Sequence, residues 1–328
     1  MNVVYLIGNG FDLNLGLKTS YRDFYHYYIA RESKSLAVQK FKSSISEDIS
    51  KWSDLEVELG RYTKNLTSLE ELDDIHESVV DELADYLEKE QEHFISEKQS
   101  QINVETFKKY LFHPENSLKQ RDSNALKTFY KGSKSNQYHI INFNYTHIIE
   151  HILGLDTASN LNQGLRVVLQ EGNKSHHLVS TLHIHGSVNT DMVLGVDRQN
   201  QILNEKFSTD NEARNQLIKP NCNLVMRHNV DSHCEQLISK ADLICIFGSS
   251  LGKTDQCWCD LIAKQLKNRE CKLVIYQHEA EFNPRRSHLQ DRVRTKTLLN
   301  FFKAEEIEKI EDNVHFALNS KMFDLLKS

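Results

Sequence analysis

Asn2-Val-Val-Tyr-Leu-Ile7, running straight into Gly8-Asn9-Gly10-Phe11-Asp12, is the stretch on which the fold turns. A β-branched and aromatic run that stops at two glycines predicts a strand followed by a tight turn. Next, Thr19-Ser20 can cap a helix opening at Tyr21, where Tyr21, Phe24, Tyr25 and Tyr28 recur at helical spacing. The chain therefore begins as strand, glycine turn, helix. The pattern returns from residue 138, with strands expected at Tyr138–Asn142, Arg166–Gln170, Val179–Leu182, Met192–Val196, Ala241–Phe247 and Cys271–Tyr276. Helices are expected over 146–153, 202–218, 231–240 and 254–266. Strands that end in small polar turns feeding helices imply an α/β fold: an open, mostly parallel, Rossmann-like sheet with helices on both faces.

Residues 34–135 depart from this alternation. They are rich in Glu, Lys, Leu, Ser and Gln with helical periodicity, as in Trp52–Leu59 and Val79–Phe94, and carry one proline, Pro114. The block is expected to be a helical insertion or lobe, leaving 1–33 and 136–328 for the α/β domain. Toward the end come the basic residues Arg285, Arg286, Arg292, Arg294 and Lys296, and an amphipathic segment at 314–326.

Composition narrows the function classes. The 328 residues hold 40 Lys+Arg against 46 Asp+Glu, a net charge of −6, with 39% hydrophobic residues but only 12 Gly and 3 Pro. That is enough for a sizeable core and too few turn-formers for a many-stranded all-β fold. The acidic balance argues against a nucleic-acid footprint over the whole surface, and the basic 285–296 stretch is expected to be a solvated helix face. A nucleic-acid effector built on that stretch is the alternative. With no long apolar run and no signal core, a cytoplasmic protein without a membrane partner is expected. The six cysteines form no C-x-x-C pair and are expected to be reduced thiols. On a helix Cys257 and Cys259 point about 200° apart, so no metal is expected there.

Four polar segments fall where strands end, the edge on which such sheets bind ligands. Gly8 and Gly10 can take positive φ and present N–H groups to phosphate oxygens, or they serve simple strand-to-helix geometry. In Asn142-Phe-Asn-Tyr-Thr146 an amide can hold a water or a ribose hydroxyl, or Asn144 or Thr146 caps the next helix. His185-Gly186 sets an imidazole beside a residue without a side chain, leaving room for substrate, and His183 is expected to face the other way. Gly248-Ser249-Ser250 completes the set.

These segments resemble known families. Gly8-Asn-Gly-Phe-Asp12 with Gly16-Leu-Lys-Thr-Ser-Tyr-Arg-Asp-Phe24, and Gly248-Ser-Ser-Leu-Gly-Lys-Thr-Asp255, resemble the AbiH family of bacteriophage abortive-infection proteins. More distantly, with Asn144-Tyr-Thr-His-Ile-Ile-Glu150 and His185-Gly186, they are similar to the sirtuin-like NAD-binding domains of bacterial anti-phage NAD hydrolases. The resemblance implies a sirtuin-like fold and an anti-phage role, with NAD or a related nucleotide as ligand or substrate. It implies Asn144 and His185 as the catalytic pair, and Gly8, Asn9, Gly10, Phe11, Asp12, Gly248, Ser249 and Ser250 around the cofactor. The implied chemistry is hydrolysis of NAD to nicotinamide and ADP-ribose, and the implied partners are a phage or host trigger protein and a second copy of the chain. Asn9 replaces alanine, Asp12 replaces serine and Thr146 replaces aspartate in that pattern. The four-cysteine zinc module of deacetylases has no counterpart, so deacetylation is not expected. A non-catalytic nucleotide-sensing or partner-binding module is the alternative.

Overall fold

The computed structural model describes residues 1–326 apart from 156, 158–160, 163–166, 253, 269, 280–284 and 286–287. Arg166, Lys253 and Arg286 therefore lie outside the described residues. Among the described residues eight strands form one sheet: β1 Asn2–Ile7, β2 Ser135–Asn142, β3 Leu161–Asn162, β4 Val167–Glu171, β5 Lys174–His183, β6 Leu243–Phe247, β7 Lys272–Gln277 and β8 Val314–Leu318. The order is β3-β5-β2-β1-β6-β7-β8, with β4 also paired to β5. From β5 to β8 every neighbour is parallel, while β3 and β4 run antiparallel to β5. The expected open, mostly parallel α/β sheet is present.

β1 is the central strand, which is why its sequence is apolar without alternation. Val3, Tyr5 and Ile7 enter one core with Phe107, Leu111 and Phe112. Val4 and Leu6 enter the opposite core with Ile238, Ile262 and Phe301. Both faces are thus covered, and residues 3–7 are fully buried. Among the described residues no strand interrupts the helices between Tyr21 and Phe129. Phe24 to Leu87 share a third core with Leu194, Val196 and Leu217, whereas Phe94 to Leu126 pack on the sheet.

Several expected elements change form. Met192–Val196 is not a strand, and only Val196 makes an isolated bridge, to Ile218: the Val193 N–H donates to the His185 carbonyl at 2.8 Å and the Val196 N–H to the Leu217 carbonyl at 2.7 Å. Its backbone ties loops together instead of extending the sheet. The single helix expected over 202–218 is two, Glu205–Thr209 and Asn211–Leu217, because Asn204 and Asp210 each cap their own N-terminus. A further helix, Lys219–Val225, begins with Pro220 in its first turn. The amphipathic 314–326 segment opens as strand β8. All six cysteines are free thiols, five of them buried. Among the described residues no helix is long and apolar enough to cross a membrane.

Candidate functional site at the carboxyl edge of the sheet

Parallel register brings the four polar segments together. Ile7 pairs with Asn142 and Phe247, and Asn142 with His183, so Gly8, Phe143, Ile184 and Gly248 leave the sheet along one line. β2 and β5 lie on one side of β1 and β6 to β8 on the other, which makes β1 the point where the strand order reverses.

The first loop is built differently from a phosphate cradle. Neither Gly8 nor Gly10 lies in the left-handed region. The Gly8 N–H donates to the Phe247 carbonyl at 3.0 Å and the Gly10 N–H to the Gly248 carbonyl at 2.7 Å. A Cβ on Gly10 would sit 2.5 Å from the Gly248 Cα, and one on Gly8 2.7 Å from the Ser249 Cα. These glycines serve close contact between two loops, and both amides are spent on that contact. Phe11 points away into the core, edge-on to Phe323 at 5.4 Å. Gly248 takes φ +65°, the Ser249 hydroxyl accepts from the Leu251 N–H at 3.1 Å, and Ser250 is exposed. At Gly186 the expected space for substrate is filled by the Asp191 backbone.

Asn9 and Asp12, three apart, share a face of the short helix Gly10–Asn14 that follows β1 directly. The Asn9 side chain is tied to Thr19, accepting from its hydroxyl at 2.5 Å and donating to its carbonyl at 2.9 Å. Asp12 is buried; Asn144 Nδ2 donates to its Oδ1 at 3.1 Å and Thr146 Oγ1 to its Oδ2 at 2.5 Å. The helix at Ile148–Leu153 has His147 as its N-cap residue without a side-chain cap, so neither Asn144 nor Thr146 performs the expected capping. Asn9, Asp12, Thr19, Tyr21, Phe143, Asn144, Tyr145 and Thr146 line a cavity of about 110 Å³. On the other face of the short helix, Gly10, Leu13 and Asn14 border a second cavity of about 450 Å³ with Phe247, Gly248 and Tyr276.

Burial pushes the Asp12 carboxyl up to about 7, against the hydrogen bonds from Thr146 and Asn144 and the nearby His183 charge, which lower it. The folded value lies above the ordinary 3.8, so the folded chain keeps a proton that the unfolded chain has lost. This contribution to stability is complete below about pH 4 and is lost as pH rises through about 7. Unfolding free energies of wild type and Asp12→Asn, measured from pH 4 to 8, are expected to diverge by on the order of 3–4 kcal/mol, at about 1.4 kcal/mol per unit. A pH-independent difference would contradict this assignment.

Below Asp12 lies an enclosed His–Glu pair. His183 Nδ1 donates to the Asn144 carbonyl at 2.9 Å and Nε2 faces Glu150 Oε1 at 3.3 Å. Both nitrogens face oxygen acceptors, an arrangement that favours the protonated ring. Burial lowers its proton affinity, but the Glu150 charge and hydrogen bond, with the Asn144 carbonyl, raise it further. Neighbouring His147 is buried without ring hydrogen-bond partners among the described residues, and burial lowers it to about 4. His147, Glu150 and His183 have ligand atoms close enough to hold a metal ion.

His185 belongs to a different network. β5 ends at His183, so His185 sits in the following loop and turns toward Asp255, with Nε2 2.9 Å from Oδ1. Lys219 Nζ donates to Asp255 Oδ1 at 3.1 Å and to Glu56 Oε2 at 2.8 Å, and Thr254 Oγ1 also reaches Glu56 at 2.8 Å. Burial lowers Lys219, but Asp255 and Glu56 raise it well above the ordinary ammonium range. Burial raises Asp255, while Lys219 and His185 bring it well below the usual carboxylate range. The sequence reading missed Glu56 and Lys219. The available signal was an acid at Glu56 on the face that buries Leu55, Leu59 and Gly60, where a charge needs a partner.

No curated protein matches this chain. The family model described as Bacteriophage abortive infection AbiH matches residues 4–277, which include the loops following β1, β2, β5 and β6. The chain belongs to the AbiH family of bacteriophage abortive-infection proteins.

Proposed function

We propose that this abortive-infection protein binds NAD or a related nucleotide at the carboxyl edge of the sheet and hydrolyses its N-glycosidic bond. The observation that carries this reading is Asp12: a buried carboxyl near 7, flooring a cavity with Asn144 and Thr146 on its two oxygens. A general base is most effective when its affinity for protons matches the working pH. The 110 Å³ cavity admits one ring of the ligand, and the 450 Å³ cavity across the helix suits the other nucleoside. Asn144 Oδ1, buried without a partner among the described residues, is the acceptor that would position the attacking water. The water oxygen bonds to ribose C1′ as the C1′–N bond breaks. Its electron pair leaves with nicotinamide, and the water proton passes to Asp12. In this scheme Asp12 takes the proton that the sirtuin-like resemblance assigns to His185, whose Nε2 is committed to Asp255.

Purified protein incubated with NAD is expected to release nicotinamide, and Asp12→Asn to slow release by about 10²–10⁴-fold. Equal rates for the two proteins would refute the base assignment. The spent amides of Gly8 and Gly10 favour the second reading, a module that recognises a ligand or a trigger protein without turnover. Binding of ADP-ribose by calorimetry with no nicotinamide release would establish that reading instead.

A further inference from the structure

The opposite edge of the sheet carries its own cluster of ligand-bearing side chains. His113 ends the helix Val104–Phe112, Glu171 ends β4, and His176 lies near the start of β5. One ligand atom from each lies within 4.8 Å of the others. His176 is seven residues from His183, about 23 Å along a strand, so this cluster is remote from the carboxyl-edge site.

The hydrogen bonds settle how these rings present themselves. Tyr138 donates its only proton to the Phe112 carbonyl at 2.8 Å, so its oxygen accepts from His176 Nδ1–H at 3.0 Å. His176 Nε2 is then a lone pair. It is buried without a hydrogen-bond partner among the described residues, and Glu171 Oε2 faces it at 3.8 Å. Both groups are electron-pair donors and can share a cation. His113 points Nδ1 at Glu115 Oε1, 3.4 Å away, and Nε2 at Glu171 Oε1, 3.1 Å away. Each histidine thus has its Nδ1 side held by a neighbouring residue and its Nε2 side turned to the same carboxylate, the arrangement that orients metal-bound imidazoles.

We propose that His113, Glu171 and His176 form a divalent-metal site of the zinc class, clamping the β4–β5 hairpin to the helical block. Ligands on a tetrahedral zinc stand about 3.4 Å apart, given bonds of about 2.0–2.2 Å; His113 Nε2 lies 3.1 Å from Glu171 Oε1, His176 Nε2 lies 3.8 Å from Oε2, and one ligand atom of each residue lies within 4.8 Å of the others. A cavity of about 480 Å³ borders all three residues and leaves a fourth position to water.

The test uses the full chain, stripped with a chelator and titrated with zinc by calorimetry, with metal content read after dialysis. Wild type is expected to retain one equivalent. Glu171→Gln and His113→Ala are expected to weaken binding at least about 100-fold, and zinc is expected to raise the melting temperature of wild type only. The Glu171 side chain is 45% exposed, so its replacement leaves the core intact, which circular dichroism verifies. Failure of wild type to bind zinc in the micromolar range would overturn the proposal. So would binding unchanged in both variants, or lost only in His147→Ala.

Discussion

Lys219→Met is expected to destabilise the folded chain by roughly 3–5 kcal/mol at pH 7, because it leaves Glu56 and Asp255 buried without the cation they share. The methionine fills similar space, so the loss reports charge and not a cavity. Burial already raises the Glu56 carboxyl in the intact network, against the Lys219 and His185 charges that lower it. Without Lys219 it climbs further and takes up a proton as pH falls. The destabilisation, followed by urea unfolding, should therefore shrink from pH 7 to pH 5. Adding Glu56→Gln to the same chain should recover much of the loss, since an amide needs no counter-charge. A Lys219→Met protein as stable as wild type at both pH values would mean the network is open to water.

Gly10→Val should remove folded protein, not merely ligand binding. Its Cβ would lie 2.5 Å from the Gly248 Cα and 2.9 Å from the Gly248 carbonyl oxygen, and that neighbour is backbone, which cannot rotate away. Gly248 is itself bonded to the Gly10 N–H, so relief of the clash breaks the contact holding β1 and β6 loops together. Ordinary overpacking costs about 1–3 kcal/mol, and a branched side chain against fixed backbone is expected to exceed that range. Soluble yield and the urea midpoint measure it, with Gly10→Ala falling between. A stable Gly10→Val protein that had lost only nucleotide affinity would return this loop to a phosphate-binding role.

Much of the carboxyl-edge site was legible because local pattern and parallel connection suffice to place it. A strand that stops at Gly8, another at Asn142 and another at Phe247 must deliver their loops to the same edge once the strands are parallel. Strand ends place the segments holding Asp12, Asn144 and His185 at that edge, while the roles expected of Asn144 and His185 came from the family resemblance. Their partners were not legible: strand periodicity brings Asn144 to the edge, but only docking shows that its amide meets Asp12 and not the next helix. Met192–Val196 shows the same limit, since an apolar run becomes a strand only where a neighbouring strand accepts its hydrogen bonds.

By itself the sequence determined most of the strands and helices, the mostly parallel sheet with helices on both faces and the edge where the polar loops gather, because these follow from side-chain period and the geometry of parallel connections. Tertiary structure alone decided two things. It turned Gly8 and Gly10 into points of backbone contact, because what a missing side chain makes room for depends on what lies opposite. It also joined Glu56 to Lys219 across 163 residues, because a buried charge finds its partner through packing in space and carries no local mark of where that partner will be.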